Sequence, residues 1–391
     1  MSWFTSRRIY LDYASATPVD PKALRAYNEA SRVFANPGGL HTDSVTAKRV
    51  LNDAREQVAL HLACKAREII FTSGLTEANN IGLVGLARSL ELRQRSLKDT
   101  HWIVSSIEHA SVFQCFAEIE RLGGTVSHVE PDAKGVIHPE HVLGLLRPTT
   151  VAVSVGWGNN EIGTIQPLSS IARILRAHEK KHSTTVIFHS DAGQAPLYGS
   201  PQVHSLGVDM LCLGSGKLYG PRGFGALYIS NKVSLAPVAF GGGQERGLRS
   251  GTEDPALAAG FAKAFDVVTA ERDVETRRLQ KLRDNFAREI VTHIPNVLVN
   301  GDLKHALPHM LNISIPGAKT GEYLALALDH AGISLSTKSA CNEGEANSHV
   351  VVALRGPDWR ARNTLRFSLG RATTEADLKR ALEALEGILR S

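Results

Sequence analysis

Seven short apolar runs punctuate residues 45–230, and stretches with helical spacing separate them. The runs fall at 68–72, 102–104, 126–129, 150–155, 185–189, 210–213 and 225–229. Each has the length of a strand. Alternation of such runs with helices predicts an α/β fold, a mostly parallel seven-stranded sheet with helices on both sides. Ligands in such folds bind beyond the carboxyl ends of the strands. After residue 254 the pattern changes. A long charged helix is expected from 255 to about 293, then shorter strands at 297–299, 311–314 and 364–368, and an amphipathic helix over 374–389. This predicts a large domain over 16–254 and a smaller α+β domain built from 1–15 and 255–391.

Composition narrows the function classes. The 391 residues, 43% hydrophobic and 21% charged, suffice for two domains with a sizeable core. Forty-four basic against 39 acidic side chains give +5, and no basic run is interleaved with aromatics, so no nucleic-acid partner is expected. Residues 1–8 lack the apolar core of a secretory signal, and no apolar stretch is long enough to span a bilayer. A cytoplasmic protein without membrane contact is expected. The four cysteines are widely spaced and the 16 histidines form no ligand pair, so neither a disulfide framework nor a metal is expected.

Two of the strands end on complementary chemistry. The run Met210-Leu211-Cys212-Leu213 feeds the glycine-rich loop Gly214-Ser215-Gly216-Lys217-Leu218-Tyr219-Gly220, and Val186-Ile187-Phe188-His189-Ser190 ends on Asp191. A lysine and a carboxylate at neighbouring strand ends suit pyridoxal phosphate (PLP): the amine forms a Schiff base and the carboxylate keeps the pyridinium nitrogen protonated. The loop is not a nucleotide phosphate loop, because the G-x-x-x-x-G-K-[ST] spacing is absent and Leu218 follows the lysine.

Other segments carry a functional and an ordinary reading side by side. Thr72-Ser73-Gly74-Leu75-Thr76-Glu77 leads from a strand into a helix, where free N–H groups and Thr76 suit a phosphate, or simply cap the helix. His109 opens the next helix and suits ring stacking and proton handling, or capping. Asn160, in Gly158-Asn159-Asn160-Glu161-Ile162-Gly163, suits a substrate contact or a turn. The segment Gly241–Thr252, with five glycines and two arginines, implies close backbone approach near an anion. Cys341 sits in the polar run Ser339-Ala340-Cys341-Asn342-Glu343-Gly344-Glu345, a candidate nucleophile that Lys338 favours and the glutamates oppose. Arg366 suits a forked contact with a substrate carboxylate, or a surface strand.

Taken in order, Tyr10-Leu11-Asp12-Tyr13-Ala14, Thr-Ser-Gly-x-Thr-Glu, Asn-Asn-Glu-Ile-Gly, Asp-Ala-x-Gln, Lys-x-Tyr-Gly-Pro, Arg-Ser-Gly-Thr, Ser-Ala-Cys and Phe367-Ser368-Leu369-Gly370-Arg371 make the chain resemble the cysteine desulfurases of the NifS/IscS type, within the class V aminotransferase group of PLP fold-type I. The resemblance implies Lys217 as the Schiff-base lysine, His109 stacked on the ring, Asp191 on the pyridinium nitrogen and Gln194 near the phenolic oxygen. It implies phosphate contacts from Thr76 and from Thr252 of a homodimer partner. Asn160 and Arg366 would bind the carboxylate of L-cysteine, Asn36 would lie at the substrate entrance, and Cys341 would accept the sulfur. The sulfur would pass to an acceptor protein, for iron–sulfur clusters or thio-cofactor and tRNA synthesis. Selenocysteine lyase, aminotransferase and non-catalytic scaffold are the alternatives on the same fold. One departure stands out: the family's Ser-x-His-Lys has Gly214 and Gly216 in place of its serine and histidine, so Ser215 is expected to stand in for one of them at the cofactor.

Overall fold

The computed structural model describes residues 7–317, 319–338 and 347–390. Its centre is a seven-stranded sheet in the order Ile69–Thr72, Gly225–Ile229, Met210–Gly214, Ile187–Asp191, Thr150–Ser154, His101–Ser105, Thr125–Val129. All neighbouring pairs are parallel except those made by Gly225–Ile229, which runs antiparallel to both its neighbours. The apolar runs bury both faces by alternation. Met210 and Cys212 pack into one cluster with Trp102 and Phe116, whereas Leu211 and Leu213 pack into another with Phe188 and Phe261. Period 2 therefore sends successive apolar side chains to opposite helical layers, as continuous apolar strands require.

A second, smaller core lies around the antiparallel strands Thr364–Ser368, Met310–Ser314 and Leu298–Val299, flanked by the helix Glu375–Arg390. The strand Ile9–Tyr10 pairs in parallel with Ile333–Ser334 beside it. The helix Pro255–His293 spans 39 residues and joins the two cores. Asp254 caps it, accepting from the N–H groups of Ala256 and Leu257, and Pro255 fits the first turn, where its missing N–H costs nothing. Phe261 and Phe265 belong to the large cluster; Leu279, Phe286 and Ile290 belong to the small one. The expected boundary at residue 254 thus falls at the cap of a helix shared by both cores.

Two further helices complete the frame. Pro21–Ala30 buries Ala23 and Ala30 alone. In Gly321–His330 the order Leu324, Leu326, Leu328 mimics a strand, yet Leu324 and Leu328 are buried on one helical face and Leu326 is 73% exposed. No helix among the described residues is long and apolar enough to cross a membrane, and no cluster of His, Cys, Asp and Glu among them could hold a metal.

Candidate active site

A cleft of about 380 Å³ opens at the carboxyl ends of the parallel strands. Lys217, Asp191, Gln194, Thr76, His109, Asn160 and Arg366 all line it. Strand geometry does this work: Asp191 ends its strand, and Lys217 follows the adjacent strand by one 3₁₀ turn, Ser215–Lys217.

The Lys217 amine donates to the carbonyl oxygens of Ala14 and Ser15, at 2.7 and 2.6 Å. Gln194 Nε2 also donates to the Ala14 oxygen, at 2.8 Å, while its buried Oε1 finds no partner among the described residues. Asp191 accepts from Gly193 N at 2.9 Å and from Asn79 Nδ2 at 2.8 Å. Asn79 also donates to Ser111 Oγ at 2.9 Å, and Ser111 Oγ lies 2.8 Å from His109 Nδ1. That ring nitrogen accepts from Ser111 N at 3.1 Å, so it is unprotonated and the neutral ring carries its proton on Nε2. Burial, the largest influence, lowers the His109 pKa and favours the same neutral form. Asn79 was not anticipated. A buried asparagine on an otherwise apolar helical face is the signal that would have found it.

Beneath His109, Glu108 is buried, accepting from Ser105 Oγ at 2.7 Å and Gly156 N at 2.8 Å. Burial outweighs these donors and pushes its carboxyl up to about 7. Arg366, 1% exposed, donates to Asn160 O at 2.9 Å and to Asp12 Oδ1 and Ser15 Oγ at 2.7 Å each, and its Nε has no partner among the described residues.

The anion end is built differently. The helix Leu75–Leu92 starts from Gly74, whose φ of 149° lies outside the range L side chains prefer, and no side chain caps it. Its first turn therefore offers unsatisfied N–H groups and a positive dipole end. Thr76 is exposed there. Ser73 N donates to Glu77, which also faces Arg249 Nε at 3.4 Å.

Ser215 is a correction. Its side chain is fully buried, lies outside the lining of the cleft and packs beneath Gly220, where a Cβ would collide with its hydroxyl. The 3₁₀ turn keeps Gly214, Gly216 and Lys217 on the cleft and turns Ser215 into the core, so it cannot replace a cofactor-binding hydroxyl. Gly216 instead leaves room for Arg222, whose Cγ would stand 3.4 Å from a Cβ at 216. Arg222 lines the cleft and makes no hydrogen bond or ion pair with the described residues.

Two expected residues lie elsewhere in the protomer. Asn36 is exposed and outside the cleft lining, its Oδ1 accepting from Gly38 N at 2.9 Å. Thr252 is exposed and lines a separate cavity of about 90 Å³ with Phe224, Glu245 and Arg249. Its glycine-rich segment is pinned by Glu245, which pairs with both Arg55 amines at 2.7 Å and accepts from Phe71 N at 3.0 Å. Cys341 lies outside the described residues. Lys338, just before that segment, pairs with Glu322 at 3.6 Å.

These donors and acceptors fit PLP. An orphaned amide oxygen, a carboxylate at one end, an uncapped helix at the other and a lysine between them match the cofactor's phenol, ring nitrogen, phosphate and aldehyde.

Comparison with known proteins agrees. The model of the aminotransferase class-V family matches residues 9–381. A relative in Dictyoglomus turgidum named cysteine desulfurase IscS is 37% identical over 385 residues, covering 98% of this chain and 95% of that protein. A solved NifS-like protein superimposes with a TM-score of 0.89 at 31% identity, covering 98% of this chain and 99% of its own. A structure described as SspA in complex with cysteine gives 0.78 at 31% identity, over 92% of this chain and 98% of its own. The chain belongs to the class-V aminotransferase family, among the cysteine desulfurases of the NifS/IscS type.

Proposed function

We propose that this PLP-dependent cysteine desulfurase works through the cleft residues described above, converting L-cysteine to L-alanine and leaving a persulfide on Cys341. The convergence of Lys217, Asp191, His109, Gln194 and Arg366 on one cleft carries the reading. When bound, PLP supplies the electron sink that stabilises negative charge at the substrate's α-carbon.

The chain's residues supply the rest. Asp191, oriented by Asn79 and Gly193, presents a carboxylate to a ring N–H. Gln194 would offer Oε1 to the phenolic hydroxyl, and the first turn of the helix Leu75–Leu92 with Thr76 would hold the phosphate. Lys217, released from Ala14 and Ser15, carries the α-proton. His109 would stack on the ring as a neutral imidazole. Arg366 turns its unpaired Nε and cleft-facing edge to the substrate carboxylate, with Asn160 beside it. The C–S bond of the substrate then breaks as an S–S bond forms to Cys341, so cysteine plus thiol gives alanine plus persulfide. The described cysteines suit this role poorly: burial pushes the thiols of Cys64 and Cys115 up to about 12 and raises that of Cys212 well above its ordinary value.

The working unit is a cytoplasmic homodimer in which Thr252, exposed and outside its own cleft, reaches the partner's phosphate, and Asn36 borders the entrance. The persulfide passes to an acceptor protein serving iron–sulfur cluster or thio-cofactor and tRNA synthesis. The test compares wild type with Cys341→Ser in L-cysteine. The variant should retain bound PLP and lose sulfide and alanine release; wild-type release would remove Cys341 from the reaction.

A further inference from the structure

Leu75 is interlocked with two glycines at the anion end of the cleft. A Cβ on Gly214 would lie 2.9 Å from both Leu75 Cδ1 and Cγ. A Cβ on Gly193 would lie 2.9 Å from the same Cδ1 and 3.9 Å from Cδ2. Carbon contacts are optimal only beyond about 3.5 Å, so neither position accepts a side chain while Leu75 stays in place. Gly193 donates its N–H to Asp191 Oδ1, and Gly214 ends the strand that leads into Lys217. Leu75 is the first residue of the uncapped helix and immediately precedes Thr76.

We propose that Leu75 is a positioning residue that keys the strand ends bearing Asp191 and Lys217 to the anion-binding helix. Its methyl groups fill the space that side chains at 193 and 214 would otherwise occupy. The spacing of carboxylate, lysine and helix N-terminus is therefore set by hydrocarbon packing, and the anion end receives no hydroxyl from residue 214. The phosphate's donors are the first helical turn, Thr76 and the partner's Thr252. This rests on the placement of the phosphate at that helix.

Melting of the PLP-free protein and PLP titration by visible absorbance test it, on Leu75→Ala, Gly214→Ser and the double variant. Gly214→Ser alone overpacks the site, lowering the melting temperature by several degrees and weakening PLP about tenfold or more. Leu75→Ala alone leaves a gap and weakens PLP by roughly threefold to tenfold. The double variant should regain the wild-type melting temperature and bind PLP at least as tightly as Leu75→Ala, a strongly non-additive cycle. Additive losses, or Gly214→Ser melting and binding like wild type, would overturn the proposal. Should Gly214→Ser fail to fold, the step from Leu75→Ala to the double variant carries the test: gain supports it, loss overturns it. Thr76→Ala separates the underlying reading. Unchanged PLP affinity there would refute the phosphate placement, while the coupling of residues 75 and 214 in the PLP-free protein would stand.

Discussion

The two ends of the cleft are built on opposite principles. At the ring end, Asp191, Asn79, Ser111 and His109 form a continuous hydrogen-bonded chain with separations of 2.8–2.9 Å. At the anion end, Gly74, Gly214, Gly216 and Leu75 contribute backbone and hydrocarbon, and Thr252 faces away into another cavity. The ring end is complete within one protomer, because proton placement requires fixed tautomers and carboxylate orientation. The anion end needs charge stabilisation more than orientation, which an uncapped helix supplies from its backbone. The lesson is that a single protomer can build one end of a cleft from hydrogen-bonded side chains and the other from backbone and hydrocarbon.

The contrast can be broken by substitution. Lys217→Ala should have the largest effect, abolishing both the visible absorbance of the bound cofactor and all alanine production. A borohydride-stable cofactor adduct in that variant would show that another lysine holds it. Thr252→Ala should weaken PLP retention by roughly tenfold to a hundredfold, the loss of a hydrogen bond to a charged group, measured by dialysis and absorbance. Mixed with Lys217→Ala, it should recover partial activity, since a hybrid dimer has one intact site and one damaged twice. A fully active monomer by light scattering would contradict the shared anion end. Asn79→Ala should leave Asp191 Oδ2 and Ser111 without their common donor and reduce kcat about tenfold, with little change in PLP retention. If retention falls and kcat does not, the ring end is not the proton-handling end.

Glu108→Gln acts on a different quantity, stability against pH. The fold raises this carboxyl from its ordinary value of 4.5 to about 7, so the folded protein binds the extra proton between those pH values. Glu108 therefore costs nothing below pH 4.5, and stability falls as pH rises through that window to about 7. The total is roughly 3 kcal/mol. Denaturant titrations at pH 5 and pH 8 should show a smaller difference in the variant than in wild type. An unchanged difference would assign the pH dependence to other groups.

Much of the frame was legible because its signals are local. Each core strand is a run whose alternate residues fill opposite helical layers, and Asp254-Pro255 marks the start of the 39-residue helix by capping chemistry. Where the local signal misled, the physics is specific. Ser215 read as a hydroxyl near the cofactor because it lies two residues before Lys217. One 3₁₀ turn reverses its direction, and nothing in the residue order states that.

Residue order alone specified the layered α/β frame and the position of Asp191. A residue closing a parallel strand must emerge at the carboxyl edge of the sheet whatever surrounds it. Which side chains complete the site depended on the packed fold. Asn79 reaches Asp191 across 112 residues of sequence, and Leu75 meets Gly193 and Gly214 from a different element altogether. Contacts of that kind depend on the spacing between packed layers, to within about an ångström. That spacing follows from how the whole core fills, not from any one segment.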